Sequence, residues 1–179
     1  MIETERLILR EWREEDRAPF AALNADPDVM ASLGPVMTRR ESDALVDDLI
    51  GRASEKGHSF MPLIRKNDGA FLGFNGICTA TVRQSFDGLP EIGWRLNRES
   101  WGKGYATEAA RGALEWAWAE LGAAHVISIT SVNNTRSRAV MERIGMTQRA
   151  ELDFDYPGMP KNNPLRAHVA YKIDRPKER

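Results

Sequence analysis

Residues 101–145 read as a single strand held between two helix starts, and no other part of the chain constrains the fold as much. The run HVISITSV, His125 to Val132, is short and β-branched, as a buried strand is. Before it, WGKGYATEAA leads into a helix with Ala106, Ala110, Ala113, Leu114, Ala117 and Leu121 on one face, stopped by Gly122. Glu108, Arg111 and Glu115 are spaced to pair on another face of it. After the strand, NNTRSRAVMERIG gives a second helix, with Asn134 as N-cap and Gly145 as its stop.

The remaining segments complete a mixed sheet covered by helices. RLILREW, Arg6 to Trp12, alternates with period two, and REEDRAPFAALNA after it has helical composition. Thr38 and Glu41 form a capping-box signature ahead of Leu45, Leu49 and Ala53, so a second helix starts there. NDG between HSFMPLIRK and AFLGFNGICTATV supplies the turn of a hairpin from Phe60 to Val82, and PEIGWRLN is a further strand. TQRAELDF and RAHVAYKI are the last two strands, joined through the Pro-rich loop DYPGMPKNNP. The order is strand, two helices, three strands, helix, strand, helix, two strands, which fits one domain over residues 1–179.

Composition narrows the function. A formal net charge of −1 argues against a nucleic-acid surface. The N-terminus is charged from its third residue and no stretch of about 18 apolar residues exists, so no membrane partner and a cytoplasmic location are expected. The lone Cys78 sits in a strand-like run and reads as an inert core thiol. His58, His125 and His168 have no partner at metal-ligand spacing, so no metal is expected.

The glycines of WGKGYATEAA pose the functional question. A glycine turn running into a helix start is either a plain turn or an anion cradle, since free N–H groups and the positive dipole end converge there. It is not a P-loop, because Lys103 is followed by Gly104 rather than a hydroxyl residue, nor a dinucleotide fingerprint, because Thr107 stands where a third glycine is needed. Taken alone, the ten residues leave both readings open.

Four motifs in order, TERLILRE, EIGW, WGKGYATEA and N-x-x-S followed by VMERIGM, together resemble the GNAT acetyltransferase superfamily, and within it the RimJ/RimL-like branch that acetylates N-terminal amines of ribosomal proteins. The resemblance covers about residues 3 to 147. It implies an α/β fold with a mixed, mostly antiparallel sheet of six to seven strands, helices on both faces, and strands splayed at the cofactor site. It implies acetyl-coenzyme A as cosubstrate, bound at its pyrophosphate by the backbone of Trp101, Gly102, Lys103, Gly104, Tyr105 and Ala106. Glu99 stands where the superfamily pattern has glutamine or arginine, a departure from it.

The same resemblance makes Trp94, Arg95 and Leu96 backbone contacts of the pantetheine arm, Asn134 a contact of that arm, and Ser137 the hydroxyl that protonates the departing thiolate. Similar enzymes carry a carboxylate that takes the amine's proton through water. Period-two geometry sets Glu91 on the face away from Ile92, Trp94 and Leu96, which makes it the base candidate. Candidate acceptor walls are the helix pair around Val29 to Met37 and the loops RQSFDGLP and DFDYPGMPKNNP, and in the last of these Asp153, Asp155 and Tyr156 are candidates for holding an ammonium group. The expected partner is an amine, a protein N-terminus or a small molecule, and the expected assembly a monomer or homodimer. The alternatives are a non-catalytic acyl-coenzyme A-binding regulatory domain and, more distantly, a nucleotide-binding protein.

Overall fold

The computed structural model describes residues 1–82 and 86–177. The chain forms β1 (Ile2–Glu3), β2 (Leu7–Leu9), α1 (Glu14–Asn24), α2 (Pro27–Met30), α3 (Arg39–Lys56), β3 (Phe60–Arg65), β4 (Phe71–Thr79), β5 (Pro90–Leu96), α4 (Tyr105–Ala119), β6 (His125–Ser131), α5 (Thr135–Arg143), β7 (Thr147–Gln148), β8 (Phe154–Asp155) and β9 (Ala167–Asp174). Among the described residues one sheet holds the nine strands in the order β1-β2-β3-β4-β5-β6-β9-β7, with β8 also on β9. Six strands have three residues or more, and every pairing is antiparallel except β5 with β6.

Each face of the sheet is covered for a reason visible in its residues. On one side α4 presents Ala109, Ala110, Ala113 and Ala117, all 0% exposed, and these small side chains let the helix lie close over Leu63, Ile77 and Ile92. On the other side Phe20 of α1 and Val46 of α3 close over Phe74, which stacks on Phe60 with centroids 5.1 Å apart. Thr38 Oγ1 accepts from the Glu41 N–H and Glu41 accepts from the Thr38 N–H at 2.7 Å, so α3 starts on the expected capping box. Among the described residues no helix is long and apolar enough to cross a membrane.

Several local expectations are corrected. The first strand is shorter than Arg6–Trp12, because Arg10 turns to pair with Asp16 in α1. TQRAELDF is broken by a 3₁₀ turn at Ala150–Leu152, fixed by Asp153, whose carboxylate accepts from the Ala170 N–H and the Gln148 amide. Glu108 does not pair with Arg111; it accepts from Thr4 Oγ1 and from the Arg6 backbone and guanidinium, tying the β1–β2 connection to the first turn of α4.

Candidate active site

Among the described residues the one parallel pairing in the sheet comes apart as it starts. β5 and β6 are in register at Glu91 and Ile127, and Ser128 Oγ donates to the Ile92 carbonyl at 2.8 Å. Beyond that point Trp94, Arg95 and Leu96 pair with β4 alone, leaving their other backbone edge free for an extended ligand. A cleft of about 650 Å³ opens at this divergence, between the starts of α4 and α5 and the α2 segment. Trp94, Arg95, Leu96, Trp101, Gly102, Gly104, Tyr105, Ala106, Asn134 and Ser137 all line it.

At the α4 start the backbone is left bare. Gly102 and Gly104 have φ of +73° and +79°, which a side chain resists, and Gly104 caps the helix with no side-chain hydrogen bond. The N–H groups of Gly102 through Thr107 have no acceptor among the described residues. Six adjacent donors at a helix N-terminus fit a pyrophosphate group. The loop is held from behind, where Arg6 donates to the Lys103 carbonyl at 3.1 Å and its guanidinium lies 4.7 Å from the Tyr105 ring centroid. The Lys103 side chain does not line the cleft.

The α5 start is closed by its own side chain. Asn134 Oδ1 accepts from the Ser137 N–H at 3.2 Å, and its amide donates to Thr130 Oγ1 at 2.9 Å. Asn134 therefore acts as the N-cap, and its remaining N–H and lone pair are what it can offer a cofactor arm. Ser137 Oγ has no hydrogen bond among the described residues and faces the cleft one turn away. Arg136 lies 4.1 Å over the Trp101 ring at the cleft wall. Arg136, Thr107 and Arg143 line the cleft without having been named as contacts, although they sit inside N-x-x-S, WGKGYATEA and VMERIGM, the signals that could have found them.

Other candidates fall outside the cleft. Glu91 is half-buried at the vertex of the divergence, on the α3 side of the sheet beside Cys78, and burial pushes its carboxyl up to about 7 against the pull of Arg52. Asp153, Asp155 and Tyr156 do not reach the cleft. Asp153 is bonded as above, Asp155 pairs with Arg166 at 2.9 Å, and the Tyr156 ring packs on His168 at 4.9 Å, so the two carboxylates and the ring are engaged around β8 and β9. Of RQSFDGLP, residues 83–85 lie outside the described residues; Phe86 is buried against Phe154. Among the described residues no group of three or more His, Cys, Asp or Glu is placed to hold a metal.

Comparison with known proteins agrees with this geometry. Residues 6–147 match the acetyltransferase (GNAT) domain family. The chain is 31% identical to the FsC-acetyl coenzyme A-N(2)-transacetylase of Aspergillus fumigatus, over 97% of this chain and 76% of that one. It is 29% identical to the uncharacterized N-acetyltransferase YnaD of Bacillus subtilis, over 90% and 89%. The crystal structure of a GNAT-family acetyltransferase from Bacillus anthracis superposes with a TM-score of 0.78 at 27% identity, covering 97% of each chain. The bare α4 start, the diverging strands and the family match together place the chain in the GNAT family, as an acetyl-coenzyme A-dependent acetyltransferase.

Proposed function

We propose that the protein transfers acetyl from acetyl-coenzyme A directly to a primary amine, with Ser137 and Glu91 handling the two protons. The observation that carries this is the free Ser137 hydroxyl facing the same cleft as the six open N–H groups. Acetyl-coenzyme A supplies a thioester as acyl donor. Gly102 to Thr107 hold its pyrophosphate, the free edge of Trp94–Leu96 aligns its arm, and Asn134 fixes the wall that carries Ser137. The new N–C bond forms as the C–S bond breaks; the amine proton passes through water to the Glu91 carboxylate, the Ser137 proton goes to the leaving sulfur, and exchange with water then reprotonates Ser137 and deprotonates Glu91. Of the RimJ/RimL-like expectation, this reading keeps the N-acetyl transfer and leaves the acceptor to its chemistry.

Protonation sets how much base the site needs. An α-amine with pKa about 7.7 to 8.0 is deprotonated at pH 7 for about 1 kcal/mol, whereas a lysine near 10.4 costs about 4.6 kcal/mol. A carboxylate held at about 7 suits the first. Its kcat/KM should rise with pH through about 7, and Glu91→Gln should remove that inflection. Stability supplies an independent check. The folded value lies above the ordinary 4.5, so the neutral carboxyl's contribution is full below 4.5 and lost as pH rises through about 7. Glu91→Gln should thus raise Tm at pH 8 more than at pH 5.

The test of the function is thiol release from acetyl-coenzyme A across a panel of amines, with the acetylated amine identified by mass. Amine-dependent release with matching product is expected. A regulatory domain would bind coenzyme A and release none, and an acetyl group trapped on Cys78 or a serine and passed onward would overturn direct transfer.

A further inference from the structure

Two arginines on the same sheet are treated in opposite ways. Arg10, just past β2, is met by a carboxylate: its two terminal nitrogens reach Asp16 at 2.6 and 2.9 Å, and Asp16 is only 2% exposed. Arg95, on β5, is met by neutral groups. Its Nη1 donates to Asn24 Oδ1 at 2.7 Å, its guanidinium lies 5.5 Å from the Phe74 ring centroid, and its Nε is buried with no partner. Among the described residues no carboxylate is within ion-pair distance of it. Burial pulls it down to about 10, which leaves it charged at neutral pH.

This arrangement is built rather than incidental. Asn24 and Ser42 are both 0% exposed, and the Asn24 amide donates to Ser42 Oγ at 2.9 Å, which turns the Asn24 oxygen toward Arg95. Holding a half-buried cation, its Nε out of reach of water, with no counter-charge is unfavourable unless a ligand supplies one. Arg95 lines the cleft together with Val29, Ser32 and Leu33. Strand alternation puts its side chain on the α1–α3 face, opposite Trp94 and the α4 start, so the donor's pyrophosphate has its own cradle on the other face. The anion that Arg95 awaits is therefore one brought by the acceptor.

We infer that Arg95 binds a carboxylate of the acceptor, and that the acceptor is an aminocarboxylate rather than a plain amine or polyamine. This rests on the amine-transfer reading above. The guanidinium fork matches a carboxylate in two hydrogen bonds, with Nε as the second donor that currently has no partner. A polycation is disfavoured by the same charge. The carboxylate can be the α-carboxylate of a free amino acid or the acidic side chain at a peptide N-terminus; both present the same group to Arg95.

The test compares kcat/KM for amino acids with their amides, and for peptides starting in Asp or Glu with those starting in Asn or Gln. Wild type should prefer the acid in at least one series by about a hundredfold, the scale of a desolvated ion pair, and the series that responds identifies the source. Arg95→Gln should raise KM for the acid more than KM for its amide and so erase the preference; Arg95→Lys should keep part of it. Equal rates for acid and amide in wild type, or a preference that survives Arg95→Gln, would overturn the inference. Calorimetry of the coenzyme A complex with the same amino acids separates the two readings. Carboxylate-dependent binding without transfer sinks the catalytic reading alone, and transfer to acids and amides alike sinks the carboxylate assignment alone. With neither binding nor transfer, both fall.

Discussion

The two helix starts that flank β6 face one cleft and are finished in opposite ways. At α4 the chain uses Gly102 and Gly104 in left-handed conformations and no side-chain cap, so six successive N–H groups stay open. At α5 the Asn134 side chain takes the Ser137 N–H, while Arg138 and Thr135 donate to the Asn134 and Asn133 carbonyls. A helix start normally gains about 1 kcal/mol from a capping side chain. Forgoing it at α4 alone makes sense where a ligand's phosphate oxygens do the capping. The α5 start gains rigidity instead, and a rigid wall is what a hydroxyl aimed at a reacting atom requires.

The largest effect is expected at Ser137. Ser137→Ala should lower kcat by about 10² to 10⁴ while leaving coenzyme A affinity within about twofold, because the hydroxyl holds nothing else in place. An unchanged kcat in steady-state assays would remove Ser137 from the chemistry. At α4 the effect should fall on binding. Gly104→Asp adds a strained backbone and a carboxylate beside the pyrophosphate site, and coenzyme A Kd measured by calorimetry should rise about a hundredfold. The smallest effect belongs to the cap. Asn134→Ala should cost about 1 kcal/mol, read as a Tm lower by roughly 2 to 4 °C.

How much of this was legible in the sequence depends on the range of the interaction. Thr38–Glu41 and Asn134–Ser137 are caps spanning three residues, so their spelling is their structure, and the alternation of Glu91 to Leu96 fixes which side chains share a face. Long-range partners decided the rest. Glu108 looked like one member of a surface ladder on α4, yet Thr4 and Arg6 arrive from 104 and 102 residues away to claim it. Asp153 and Asp155 looked like a free acidic loop, but Ala170, Gln148 and Arg166 occupy them. The short α2 was announced only by Asp26–Pro27, a cap and a first-turn proline over a four-residue helix. Arg95 reads in the sequence as a backbone contact of the pantetheine arm alone, because its side chain's lack of a counter-charge appears only once Asn24 and Phe74 are folded around it.

Hydrogen exchange at individual amides with and without coenzyme A separates the two helix starts. Coenzyme A should slow exchange at Gly102 through Thr107 by at least tenfold and leave the Ser137 amide, already bonded to Asn134, nearly unchanged. Protection at the α5 start with none at residues 102–107 would contradict that expectation.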